Sequence, residues 1–542
     1  MICRLLARLR IKSLILGLLL AGVLLTVSAA LRGSPAQAAG ISATDPITNE
    51  IGVDPDAAIE VTYDSPISPT TVTTRTFVAQ GMQSGARDGA FHFSDEYRRF
   101  TLSPGSAFFA GEVVRVSATA GISDTSGFPA TPHQWQFTAG PVFERHFGGF
   151  IDVDAGLLEV ACGSVAWGDY DGDGDLDILL TGLQYDAGYT EFVGVYRSDG
   201  GQFTAIETGL PGVWSNSTAW GDYDNDGDLD ILLTGSTGRV LVSRVYRNDA
   251  GAFIDIGAGL AEVTQAAVAW GDYDNDGDLD ILLTGGDTRN GPVSRLYRND
   301  DGTFIDIGAG LTDVSLSAVA WGDYDDDGDL DILLEGAASS GIVSQVWRND
   351  DGTFSDIGAG LPGVVEGSVA WGDYDNDGDL DILLTGIEGN NNRVARVYRN
   401  DSGSFTDIEA GLPAVHQSSV AWGDYDNDGD LDILLTGALD KYAHSPIAGV
   451  YRNDGGNFTA IGVGLPAVYY GSVAWGDFAG DDDLDILFSG FTGSELVTRI
   501  YRNEDYVAYF PVICRNSVTA LDPGVTDLSA TVTGVQDDSG RE

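Results

Sequence analysis

Three regimes of apolar and polar residues divide the chain. From Leu14 to Leu31 the residues are almost all apolar, behind a basic start at Arg4, Arg8, Arg10 and Lys12. From 41 to 140 short stretches alternate apolar and polar side chains, as in Ala58-Ile59-Glu60-Val61-Thr62-Tyr63 and Val113-Val114-Arg115-Val116-Ser117. Pro, Gly, Ser and Asp punctuate them, so the segment predicts a β-sandwich with one face of each strand against a core. From 143 to 505 four strand candidates recur as a unit, in one copy Ser217–Tyr223, Leu229–Leu233, Val242–Arg247 and Ala252–Ile256. The second is a short apolar run closed by Thr234-Gly235, the pattern of a buried strand. Asn248-Asp249 and Gly251 after the third give a hairpin turn signal.

The unit repeats. Its most regular stretch, Trp220 to Gly235, has close copies beginning at Trp167, Trp270, Trp321, Trp371, Trp422 and Trp475, at spacings of 50 to 53 residues. Four strands in each of seven units predict a seven-bladed β-propeller. The ends of the array support a closed ring. The seventh unit stops after its third strand at Ile500-Tyr501-Arg502-Asn503, and Phe150 to Leu157, ahead of the first unit, aligns with the fourth strand Phe253 to Leu260. That N-terminal strand is therefore expected to complete the last blade. The fold class is all-β, a seven-bladed β-propeller preceded by a β-sandwich. The expected divisions are a signal peptide at 1–39, the sandwich at 41–140, the propeller at 143–505 and a partly disordered extension at 506–542.

Each copy opens on an acidic loop, D-x-D-x-D-G-x-x-D. Alternate carboxylates around a glycine turn aim oxygens at one centre, and that many hard ligands suit calcium, which accepts six to eight oxygens in flexible geometry. The candidate ligands are Asp169, Asp171, Asp173 and Asp177 in the first loop, then Asp222, Asp224, Asp226 and Asp230 in the second. Asp272, Asp274, Asp276 and Asp280 follow, then Asp323, Asp325, Asp327 and Asp331. The last two sets are Asp373, Asp375, Asp377, Asp381 and Asp424, Asp426, Asp428, Asp432. This is no EF-hand, since the final ligand comes early and the flanks are β-type rather than helical. The seventh copy departs: Ala479 replaces the second carboxylate and Asp482 the glycine. About six structural calcium ions are expected, with the seventh loop weak or empty.

The array resembles the FG-GAP/VCBS repeat family, of which the integrin α-subunit propellers are members. The resemblance implies that the acidic loop joins the first and second strands of a blade and binds calcium. Residues 41–140 resemble the bacterial Ig-like domain of S-layer proteins. The match lies in Thr44-Asp45-Pro46, Tyr63-Asp64-Ser65-Pro66-Ile67-Ser68-Pro69, Asp124-Thr125-Ser126-Gly127-Phe128-Pro129 and Trp135-Gln136-Phe137-Thr138, in that order. That resemblance implies a spacer or adhesion module without catalytic residues.

Charge and cysteines narrow the function. A formal net charge of −54 excludes nucleic acid as a partner, because phosphate contacts need Lys and Arg. Ala36-Gln37-Ala38 supplies a small-x-small cleavage site behind the apolar run, so the protein is expected outside the cell or on its surface, with an uncleaved membrane anchor as the alternative. After cleavage Cys162 and Cys514 remain; a bridge between them across the ring seam is one possibility and two free thiols the other. No nucleophile elbow, HExxH or phosphate loop occurs. The copies disagree just before the first strand, at Trp214, Gln265, Leu316, Glu366, His416, Gln417, Tyr469 and Tyr470, and between the second and third, at Gln184-Tyr185-Asp186 and Asp440-Lys441-Tyr442-Ala443-His444. In an up-and-down blade both places lie on the face opposite the acidic loops, which makes that face the candidate ligand surface. The expected role is non-catalytic binding of an extracellular protein or glycan by a monomer. A carbohydrate-active enzyme on the same propeller and a structural surface-layer component are the alternatives.

Overall fold

The computed structural model describes residues 38–140, 148–185, 188–287, 291–440 and 445–505. The proposed leader, the C-terminal extension with Cys514, and the loop residues Asp186 and Lys441–His444 lie outside the described residues. Among the described residues no helix is long and apolar enough to cross a membrane.

Residues 41–138 form two four-stranded antiparallel sheets. The alternation read in the sequence places Ile59, Val61 and Tyr63 inward, against Phe77, Phe100, Val114, Val116, Trp135 and Phe137 of the same core. Phe77 meets Phe100 edge to face at 4.8 Å, the arrangement the ring quadrupoles favour.

Seven further sheets follow, each an antiparallel set of four strands, one of them carrying an extra two-residue strand at Val364–Val365. In the second sheet the strands are Thr218–Gly221, Asp230–Ser236, Leu241–Asp249 and Ala252–Asp255. The apolar run is buried on both sides because its alternation serves two neighbours. Ile231 and Leu233 pack with Tyr170 and Leu179 of the sheet before, whereas Leu232 packs with Trp270 and Ile281 of the sheet after. All three are fully buried, a gain of about 1.5–3 kcal/mol per side chain.

The repeated tryptophan is the contact between blades. Tyr170 stacks on Trp220, Tyr223 on Trp270, Tyr324 on Trp371 and Tyr425 on Trp475. The glycine after each tryptophan is required by this approach: a β-carbon on Gly221 would lie 2.5 Å from the Trp270 ring. The Tyr-Arg-Asn of the third strand is scaffold too. The Asn248 side-chain amide donates to the Tyr170 carbonyl of the preceding blade and to Leu229 of its own, and Asn299, Asn349, Asn400 and Asn453 repeat this.

The ring closes as its ends indicate. Gly148–Asp152 pairs antiparallel with the last strand, Phe150 opposite Asn503 and Asp152 opposite Tyr501. Phe478 of the last sheet stacks on Trp167 of the first at 5.9 Å, and the Val165 amide donates to the Ser472 hydroxyl.

The innermost strands enter through a feature the repeat does not advertise. Cys162, Ser215, Gln265, Leu316, Glu366, Gln417 and Tyr470 occupy equivalent positions and all have φ between 48° and 57°. Their backbones run from blade to blade: Cys162 donates to the Tyr470 carbonyl, Ser215 to Cys162, Gln265 to Ser215, Glu366 to Leu316 and Gln417 to Glu366. A non-glycine residue at positive φ costs on the order of 1–3 kcal/mol, and this belt of amide–carbonyl bonds holds it there.

Candidate metal loops and the opposite face

In each acidic loop the first aspartate builds the turn. Asp222 accepts from the Asp226 amide through Oδ1 and from Gly227 through Oδ2, both at 3.0 Å. Gly227 sits at φ 96°, where a side chain would be strained. The last aspartate ties the loop to two strands, Asp230 Oδ2 accepting from Tyr223 and Oδ1 from Asn248. The same bonds recur at Asp169 and Asp177, and at Asp424 and Asp432. Asn225 laces its loop to the next through Gly277 and Asp278; Asn275, Asn376 and Asn427 do likewise.

The result is a set of carboxylate clusters. Asp169, Asp171 and Asp177 bring one oxygen each within 4.8 Å of one another, as do Asp222, Asp224 and Asp230. Asp323, Asp325 and Asp331, and Asp373, Asp375 and Asp381, repeat this first-third-ninth pattern, whereas the third loop gathers Asp272, Asp274 and Asp276. The fifth-position Asp226 instead supports the turn, accepting from the Asp228 amide. Burial, with neighbouring carboxylates adding to it, pushes Asp222 up to about 7, Asp230 to about 8 and Asp331 to about 9. Such a cluster ionises fully only beside a positive charge, and its all-oxygen donor set fits a hard divalent cation.

The seventh loop lacks the cluster's middle member, Ala479 standing in its place, and an arginine lies beside it. Asp477 still accepts from Asp481 and Asp482, and Asp482 adopts φ 68° where the others have glycine. Arg502 donates to Asp481 at 2.7 Å. In other blades the closest partner of the equivalent arginine is the aspartate two residues on, as Asp249 is for Arg247 and Asp401 for Arg399; Arg502 keeps a looser pairing of that kind, 3.4 Å from Glu504.

The loop face is not open solvent. The sandwich lies against it, with the Gln83 side chain donating to the Trp475 carbonyl, Gln80 to Asp222, Arg115 to Trp270 and Asn49 to Gly378. Backbone bonds join Asp169 to Gln83 and Gln134 to Gly328. Six of the seven blades are thus touched by one small domain.

At the opposite ends of the strands the variable residues divide. Gln265 is exposed and Trp214 half-buried, the latter pairing its backbone with Ser236. Gln417 donates to Glu366 at 3.0 Å and to the Tyr470 hydroxyl at 2.5 Å, linking three blades. His416 does not face solvent: it is buried, with Nδ1 3.0 Å from the Ala438 carbonyl and Arg393 beside it. Tyr469 and Tyr470 of the last blade line a cavity of about 900 Å3 at the seam of the first and last blades, together with Tyr185 and Tyr189 of the first. Sequence reading misses Tyr189, Phe491 and Arg499 in that lining, because they converge only through ring closure. Cys162 lines the same cavity as a free, partly buried thiol.

Comparison with known families agrees with this architecture. The FG-GAP-like repeat model matches residues 169–233, 272–334 and 373–435, and the bacterial Ig-like domain model matches 36–139. The chain therefore carries a bacterial Ig-like domain followed by FG-GAP-like repeats. The three repeat matches take in six acidic loops and leave the seventh outside. No curated protein matches the chain. Among solved structures it is similar to the exotype rhamnogalacturonan lyase YesX, at 12% identity over 84% of this chain and 83% of that one, with a TM-score of 0.37. The β-propeller domain of the Trilobed protease from Pyrococcus furiosus aligns at 12% identity over 69% of this chain and 100% of its own, TM-score 0.33. The N-terminal part of the S-layer protein SbsC aligns at 12% identity over 41% and 43%, TM-score 0.17.

Proposed function

We propose that this is an exported, calcium-loaded recognition protein that binds an extracellular partner, without catalysis, through the face opposite its acidic loops. The observation that carries the reading is the separation of the two ends. Partly buried carboxylate clusters repeat along one face, which the Ig-like domain lies against, while a tyrosine-lined cavity opens on the other. From Asp177 to Tyr185 one strand spans both ends, about 25 Å at ~3.3 Å per residue. Calcium in this reading is structural: the clustered carboxylates close the turn and hold adjacent loops together, and the ion supplies the charge that lets them ionise. The Ig-like domain acts as a cap on the loaded loops. The resident positions are those of the first six loops.

The test is a pair of measurements on the full chain. Hydrogen–deuterium exchange with and without calcium should show protection gained at the acidic loops and at the Gln83 and Gln134 contacts. Partner binding, by contrast, should protect residues around Tyr185 and Tyr470. Protection of the loop face by a partner would overturn the reading.

A further inference from the structure

We propose that the cavity at the seam of the first and last blades is a binding site for a neutral oligosaccharide, an inference that rests on recognition by the face opposite the acidic loops. Its walls are two aromatic groups. Tyr185 and Tyr189 sit across the turn between the second and third strands of the first blade, ring centroids 5.2 Å apart. In the second group, on the last blade, Tyr469 lies 5.3 Å from Tyr470 and 5.6 Å from Phe491. Tyr185 is 65% exposed, Tyr189 73% and Tyr470 44%, so three large rings stand in solvent around one concavity. Scattered exposed aromatics need no explanation, but convergence on a cavity of ligand size does.

The chemistry of the lining selects the occupant. A tyrosine ring offers a flat, electron-rich face and a polar tip, and fixing it costs little entropy because it has two side-chain torsions. Sugar rings match that surface, since their C–H faces stack on the aromatic plane while their hydroxyls exchange hydrogen bonds with tyrosine tips and with Gln184 and Ser494, which also line the cavity. A polyanion is disfavoured. The charged lining is Asp154, Glu159, Glu495 and Arg499, and the one cation among them is engaged by Glu159 at 2.9 Å and Asp152 at 3.5 Å. The whole chain carries −54, so an acidic polymer meets repulsion before contact. A basic peptide would have solvent-open carboxylates as its anchors, and such pairs contribute at most about 1 kcal/mol each. The aromatic faces are the adhesive part of the site, and they suit an uncharged glycan.

The segment from Asp154 to Glu159 leads from the closing strand into the first blade as Gly257 to Glu262 does between two later blades, so the aromatic lining and not the path of the chain sets this junction apart.

The calcium-loaded full chain should be tested on an array of neutral oligosaccharides, with polygalacturonate and a lysine-rich peptide as the charged arms. The expected result is binding to a neutral glycan that falls at least about tenfold in Tyr185→Ala/Tyr189→Ala and in Tyr470→Ala. Ile254→Ser, on an outermost strand away from the cavity, should bind as wild type. Melting curves of each variant establish that the exposed substitutions leave the fold intact. Failure of every neutral glycan to bind, preference for either charged probe, or binding unaffected by the tyrosine substitutions overturns the proposal. Exchange protection separates the two levels. A bound probe protecting another part of the same face removes the glycan groove and leaves recognition by that face, whereas protection at the acidic loops removes both.

Discussion

At one end of each blade the side chains repeat, and at the other end only the backbone does. Asp222 has an equivalent in every copy, and each builds its turn by accepting the same two amides. The equivalent positions at the far end read Cys, Ser, Gln, Leu, Glu, Gln and Tyr, yet all share one left-handed conformation and join in two runs of backbone bonds, Gln265 through Ser215 and Cys162 to Tyr470, and Gln417 through Glu366 to Leu316. The contrast gives a physical reason for sequence variation on that face. Where a carboxylate supplies the structure, its identity is fixed; where amide and carbonyl supply it, the side chain is free to serve a ligand. Tyr470 holds one of these positions and lines the seam cavity beside Tyr469.

The largest expected effect breaks the first end as a whole. Chelating calcium should lower the melting temperature by more than about 10 °C, since each site contributes roughly 2–3 kcal/mol at a hundred times its dissociation constant. Scanning calorimetry checks this. The pH dependence under chelator has a definite sign. Burial holds Asp222 at about 7 and Asp230 at about 8, against an ordinary value of 3.8 for each. The folded, metal-free state keeps protons that the unfolded chain releases, so its stability should fall as pH rises between about 4 and 8. Calcium should abolish most of that fall, because it takes the place of the protons.

Removing residues 143–157 attacks the ring rather than its ends. Leu496–Asp505 would lose its partner and present an unpaired edge, so the soluble monomer should give way to aggregates in size-exclusion chromatography. A monomer as stable as the wild type would contradict closure by that strand.

How much of this was legible in the sequence follows from what carries each feature. Strands, loops and ring closure rest on side chains that recur, such as Trp220, Asp222 and the Phe150 segment, and they stand where the repeat puts them. The docking of the Ig-like domain on the acidic loops was not legible, because its contacts use backbone carbonyls at Trp270, Gly328, Gly378 and Trp475, which every residue has. The belt was hidden for a related reason: positive φ without glycine leaves no mark in the residue type. His416 varied like its neighbours, and only packing shows that it points inward. The seventh loop was half legible. Ala479 was visible as a lost ligand, while the turn of Arg502 onto Asp481 needed the third dimension.

A smaller effect sharpens the comparison between the ends. Glu335 stands where other blades have Thr181, Thr234, Thr284, Thr385, Thr436 or Ser489, and it is fully buried. The amides of Gly367 and Ala318 face it without closing well-aligned hydrogen bonds, and burial pushes its carboxyl well above the usual range. The folded state therefore holds a proton there that the unfolded chain loses above about pH 4.5, and stability declines as pH rises. Glu335→Thr should restore the repeat, raise stability at pH 8 by about 1–2 kcal/mol and flatten that decline, as read by denaturant titration at pH 5 and pH 8.

The ion count tests the account most directly. Native mass spectrometry of the full chain in calcium, paired with calorimetric titration, should give six ions per chain, and Ala479→Asp/Arg502→Gln should add a seventh by restoring a ligand and freeing Asp481. Wild-type protein that binds seven ions of equal affinity, or none, would contradict the claim that six acidic loops are metal sites and the seventh is held by an arginine.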